Sequence, residues 1–68
     1  MTDTKLLNGI IENSGIKKGK IAQSLGITRT ALWQKINNKR DFKASEITII
    51  CSMLNVTSLE TKERIFFA

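Results

Sequence analysis

The sequence predicts an all-α protein: a single domain over residues 1–68, built as a compact bundle of about five short helices. Three observations carry this expectation. Apolar residues recur at helical spacing, which gathers them on one face of each segment. The breaks between those segments are single glycines or short polar clusters, so the joints are short, and no proline interrupts any segment. Strand signals are weak, because even the isoleucine-rich run Ile47–Leu54 reads equally well at helical spacing.

The first helix is expected from about Thr4 to Ser14, where Leu6, Leu7, Ile10 and Ile11 form one amphipathic stripe. Gly15 follows as a left-handed cap. A second helix runs from about Lys18 to Leu25, with Ile21, Ala22 and Leu25 on one side and Gly26 ending it. The third starts after Thr28, a residue type that caps helix N-termini, and ends near Ile36 with Leu32 and Ile36 inward. Asn37, Asn38, Lys39, Arg40 and Asp41 then form a polar loop. The fourth covers about Ala44 to Leu54, with Ile47, Ile50, Cys51 and Leu54 inward. Thr57 or Ser58 caps a fifth running to about Phe66. None of these helices is long enough to be stable alone, so they must pack together.

Composition excludes several kinds of chemistry. With one cysteine and no histidine, the 68 residues support neither an internal disulfide framework, nor a zinc site of several Cys and His ligands, nor a histidine-based triad. No carboxylate pairs with a nucleophile or a ligand set, so the chain reads as a non-enzyme without cofactor, metal or small-molecule substrate. No apolar run approaches the ~20 residues of a membrane span, and the start Met1-Thr2-Asp3-Thr4-Lys5 lacks a secretory layout. A soluble cytoplasmic protein with a reduced, core-packed Cys51 is expected.

Charge is the most informative part of the composition. The net charge is +5, yet the stretch Lys17–Lys43 holds eight basic residues against Asp41 alone, which makes it +7 and leaves −2 for the rest. A basic segment between acidic-leaning ends suits a polyanion.

Within that segment, Leu25-Gly26-Ile27-Thr28 makes a very short joint between the second and third helices. Glycine supplies the positive φ such a joint needs. Ala22, four residues earlier, lets the two backbones approach, and Ile21, Leu25, Ile27 and Leu32 lock the pair. This is the pattern of a helix-turn-helix. On these residues, Lys18 to Ile36 (KGKIAQSLGITRTALWQKI) resembles the helix-turn-helix of the lambda-repressor-like superfamily, which includes phage Cro- and CI-type regulators. The extension NNKRDFKASEI resembles a variant found in small phage repressors, and the likeness covers about residues 5 to 56. The length suits a Cro-type chain better than a full CI-type one.

The resemblance implies that the third helix enters the major groove of operator DNA. Its outward residues Arg29, Thr30, Trp33 and Gln34 would then meet base edges: Arg29 a guanine, Gln34 an adenine, Thr30 a hydroxyl partner or a thymine methyl. Trp33 has a second reading, as half-buried packing. Phosphate contacts would come from Lys17, Lys18, Lys20 and Thr28 at the helix starts, and from Lys35, Asn37, Asn38, Lys39 and Arg40 at and after the third helix.

The chain departs from the family at three places. Lys17 stands where Thr or Ser usually caps the second helix. Lys43-Ala44-Ser45-Glu46 replaces a Thr-x-x-Glu capping box, and Gly19 occupies a first turn where better helix formers are usual. Three lysines at a positive helix end are unfavourable unless an anion sits there.

Family members bind as two-fold dimers on operator half-sites about one helical turn apart. The expected dimer surface is the C-terminal cluster Val56, Leu59, Ile65, Phe66 and Phe67, with Ile49 and Met53 able to add to it. The implied function is sequence-specific DNA binding by a transcription regulator, a repressor acting by steric exclusion in a bacterial host. The alternative is a module that grips another repressor. RNA is disfavoured, because no aromatic stacking platform accompanies the basic residues.

Overall fold

The computed structural model describes residues 1–68 and holds five α-helices: α1 (Thr4–Ser14), α2 (Lys18–Leu25), α3 (Arg29–Ile36), α4 (Ala44–Met53) and α5 (Leu59–Phe66). No segment is a strand. The expected all-α bundle is what forms, with helix bounds within a residue of those read from the sequence.

Local chemistry explains the bounds. Asp3 starts α1, its carboxylate accepting from the Leu6 N–H at 3.0 Å. Thr28 starts α3 in the same way, accepting from the Ala31 N–H, and of the two candidates for α5 it is Ser58 that caps. Gly15 and Gly26 end α1 and α2 at φ 73° and 71°, a left-handed backbone that costs glycine no Cβ clash. Only three residues, Gly26 to Thr28, join α2 to α3.

The core takes one stripe from each helix. Leu7 and Ile11 of α1, Ile21 and Ala22 of α2, Leu32 and Ile36 of α3, Ile50 and Cys51 of α4, and Ile65 and Phe66 of α5 are buried, with Leu54 and Val56 beside them. Each large aliphatic side chain removed from water contributes roughly 1.5–3 kcal/mol. Phe42, from the loop before α4, meets Phe66 edge to face with ring centroids 5.3 Å apart.

The chain ends are tied together. The Asp3 N–H donates to the Ile65 carbonyl at 2.6 Å, and the Ala68 N–H donates to the Met1 carbonyl at 3.0 Å. This arrangement overturns part of the expected dimer surface. Val56, Ile65 and Phe66 are inside the monomer, because the short fifth helix folds back onto α1 and the N-terminal segment. Leu59 and Phe67 remain outside, 71% and 68% exposed.

Candidate nucleic-acid interface

The two helices that the sequence singles out, α2 and α3, carry four exposed cations between Lys18 and Arg29 and at the α2 cap: Lys17, Lys18, Lys20 and Arg29. No side chain caps α2, whose N-cap is Lys17, so its first N–H groups stay open to solvent. Lys17, Lys18 and Lys20 stand exposed around that end. The next helix start is built differently. The Thr28 side-chain oxygen is taken by the Ala31 N–H at 3.0 Å, which fixes the entry of α3 and leaves the hydroxyl hydrogen free to donate.

Along α3 the side chains divide by face. Arg29 and Thr30 are exposed and Gln34 is half-buried. Trp33 is 55% exposed, which places it on the surface and not in the core. Lys18, Arg29, Thr30, Leu32 and Trp33 together line an open recess of about 320 Å³. Three of the four residues expected to read bases, Arg29, Thr30 and Trp33, therefore meet at one recess with a lysine from α2, and Gln34 is not among its lining.

Lys35 requires a correction. Expected at phosphate, it lies on the inner side of α3 at 2% exposure, its ammonium 2.5 Å from the Glu46 carboxylate of α4. The same carboxylate oxygen accepts from the Lys43 N–H at 2.8 Å, so Glu46 makes its own half of a capping box, while the lysine side chain, which has no acceptor, leaves the other half unmade. Burial pushes the Glu46 carboxyl up, but the hydrogen bonds from Lys35 and the Lys43 N–H, with both positive charges, outweigh it and hold the group below its ordinary value. Buried charge persists where it is paired and hydrogen-bonded, and Lys35 meets that condition only by turning away from solvent.

Asn38 also differs from expectation. It sits at φ 62°, in the left-handed region, and its side-chain amide accepts from the Thr2 N–H at 2.7 Å and donates to the Thr2 carbonyl at 2.8 Å. Its remaining amide hydrogen faces the Thr4 hydroxyl. The Thr4 hydroxyl in turn donates to the Ile36 carbonyl at 2.6 Å and so closes the end of α3. The amide is thus committed to the N-terminal segment. The N–H groups of residues 37–40 likewise bond to carbonyls of α3, so these four amides are not open to a ligand. The Asn37 side chain donates to the Trp33 carbonyl at 2.9 Å. Lys39 and Arg40 remain exposed.

The electrostatic outcome is simple. Seven of the eight cations between Lys17 and Lys43 are exposed, and the chain's single ion pair takes the eighth. Three determinants escaped the sequence: the Glu46 partner of Lys35, the Thr2–Asn38 clamp, and the closeness of the Arg29 side chain to Gly19. Only Glu46 left a local trace, at the third position of α4.

Cys51 is buried, and burial pushes its thiol up against a smaller opposing effect of the Lys62 charge, so it is a core residue with little thiolate character. No helix is long and apolar enough to cross a membrane. Comparisons with protein families, with curated proteins and with solved structures gave no match.

Proposed function

We propose that this chain is a sequence-specific DNA-binding transcription regulator of the Cro or repressor type. The observation that carries the reading is the recess at which Lys18 of α2 meets Arg29, Thr30 and Trp33 of α3. Lys17, Lys20, Lys39 and Arg40 are exposed as well, and no carboxylate is paired to any of these cations. Unpaired cations suit a phosphate backbone, while a helix face of polar and aromatic groups suits base edges. The resemblance of residues 18–36 to a helix-turn-helix, and the short α2–α3 joint, support the same conclusion.

In this reading α3 lies in the major groove. Thr30, Trp33 and Gln34 meet bases, and the open N-terminus of α2 with its lysines meets phosphate. The molecule measures 28 Å along its longest axis, less than the ~34 Å of a helical turn, so a full operator calls for two copies on two half-sites. A bound dimer acts by excluding polymerase in the bacterial cytoplasm. Leu59 and Phe67 are the part of the expected dimer surface that stays free for this.

The test is selection from a random duplex DNA pool at physiological salt. Enrichment of a two-fold symmetric motif is expected, with a steep salt dependence, roughly −7 to −11 if two copies neutralise about 8–12 phosphates. A second reading, a module that grips another repressor, is favoured by one observation: Met1, Phe42, Ile47, Phe66 and Phe67, with Thr2 and Asp41, line a recess of about 310 Å³. No enrichment from a folded chain sinks the operator reading in favour of this one.

A further inference from the structure

Gly19 is an anomaly on helical grounds. Gly15 and Gly26 adopt positive φ, so their backbone needs glycine, but Gly19 does not. It lies in the first turn of α2, where glycine lowers helix stability relative to most residues. What distinguishes it is its neighbour. A Cβ built on Gly19 would stand 3.6 Å from Cδ and 3.9 Å from Nε of Arg29, and no other glycine has any neighbour within 4 Å of that point. The end of the Arg29 stem therefore passes beside the bare turn. A Cβ alone would make an ordinary contact there; a side chain continuing past Cβ would occupy the space the stem now fills.

We infer that Gly19 is a positioning residue for Arg29. It holds the guanidinium against the first turn of α2, so that Arg29 and Lys18 converge on one phosphate group of the DNA backbone instead of Arg29 reaching a base. Three observations on these residues support the assignment. Lys18 and Arg29 line the same recess, no acidic residue lines it, and the chain's single ion pair lies elsewhere. Two cations at one recess suit a single shared anion, whereas a guanine edge occupies one guanidinium fork. The inference rests on the DNA-binding reading and reassigns one residue within it.

The experiment is a substitution series at Gly19 and Arg29. Each variant is measured on the selected duplex and on an unrelated duplex at several salt concentrations, with a thermal melt beside each. Gly19→Ala should raise Tm by roughly 2–5 °C, because Ala favours the helix and its Cβ fits beside the stem. Gly19→Leu should also melt no lower than the parent chain, since Arg29 is exposed and free to move aside. It should nonetheless bind both duplexes roughly 3–10-fold more weakly, with the salt slope shallower by about one per copy. Arg29→Ala should do the same, and the double variant Gly19→Leu/Arg29→Ala should bind no worse than Arg29→Ala alone.

A purely structural role for Gly19 would move Tm and binding together, and this series separates them. Parent-like binding by Gly19→Leu, or a double variant whose losses add, overturns the positioning role while leaving DNA binding intact. A loss on the selected duplex alone makes Arg29 a base reader and overturns the phosphate assignment. A parent chain that binds neither duplex overturns the DNA-binding reading together with this one.

Discussion

Lys35 and Lys39 lie four residues apart on the same side of the basic segment, and the fold uses them in opposite ways. Lys35 is sealed against α4 with its ammonium on Glu46, and it fastens α3 to the rest of the bundle. Lys39 stands in solvent with no acidic partner. One lysine stabilises the structure, and the other serves only what the structure meets. Composition counts both as +1, so charge alone overstates the surface available to a polyanion by one residue in eight.

The sharpest way to break the comparison is to truncate each lysine. Lys35→Ala strands the Glu46 carboxylate in a buried site and should cost about 3 kcal/mol, since removing one partner of a buried pair leaves an uncompensated charge. In a domain of this size that lowers Tm by roughly 10–20 °C. Lys39→Ala should stay within about 0.5 kcal/mol of the parent chain. In DNA binding the order should reverse once Lys35→Ala is assayed well below its melting temperature: Lys39→Ala loses affinity on every duplex, and the folded Lys35→Ala does not. Thermal melts followed by circular dichroism, with binding isotherms beside them, decide it; equal melts for the two variants would contradict the division of roles.

Asn38 extends the contrast to the adjacent loop. Asn38→Ala removes two hydrogen bonds to the Thr2 backbone and places a β-carbon residue at φ 62° without a side chain that tolerates it. A loss of about 2 kcal/mol is expected. Asn38→Gly keeps the backbone easy but still loses the clamp, so it should fall between Asn38→Ala and the parent. Faster hydrogen exchange at the Thr2 amide in both variants would locate the effect at the N-terminal segment, and unchanged exchange there would refute the clamp.

What the sequence made legible was local. Helix bounds follow from caps and glycines a few residues away, and the inward stripes follow from spacing, so Ile21, Leu32 and Ile50 could be assigned to the core without a structure. Ala22 and Gly26 marked the tight joint for the same reason. The exposure of Arg29 and Thr30 on α3 was legible in the same way. The candidate site was illegible wherever a polar side chain finds its partner far along the chain. Glu46 is eleven residues from Lys35, and Thr2 is thirty-six from Asn38. Residue type says that a polar group needs a partner when buried; it does not say whether tertiary packing provides one. Trp33 was ambiguous for a related reason, because its indole suits either a core or a groove until the neighbouring helices are placed.

Acid should sharpen the Lys35 side of the comparison. The Glu46 carboxyl is held below its ordinary value of 4.5 in the folded chain. Its contribution is therefore fully present above about pH 4.5 and is lost as pH falls through the lower folded value. Glu46→Gln removes that dependence. The stability gap between parent and Glu46→Gln, measured by urea unfolding, should be widest near neutral pH and should close in strong acid. A gap that widens as pH falls would mean the carboxyl is raised on folding, and the pairing with Lys35 would not be what stabilises it.

The smallest effect is expected at Phe67, whose contrast with Phe66 repeats the lysine lesson in apolar form. Phe66 is the last residue of α5 and packs on Phe42, so Phe66→Ala should cost about 3–5 kcal/mol. Phe67 leaves the helix at φ −129° and projects into solvent, so Phe67→Ala should change stability by no more than about 0.5 kcal/mol. Its effect should appear instead in association. If Phe67 and Leu59 are the apolar remnant through which two copies meet, sedimentation equilibrium should show weaker self-association for Phe67→Ala at unchanged melting temperature. The symmetric operator motif should then give way to half-site binding. Undiminished association would move the contact between copies to another part of the surface, with Ile49, exposed on α4, the next residue to truncate, since Met53 packs against the core.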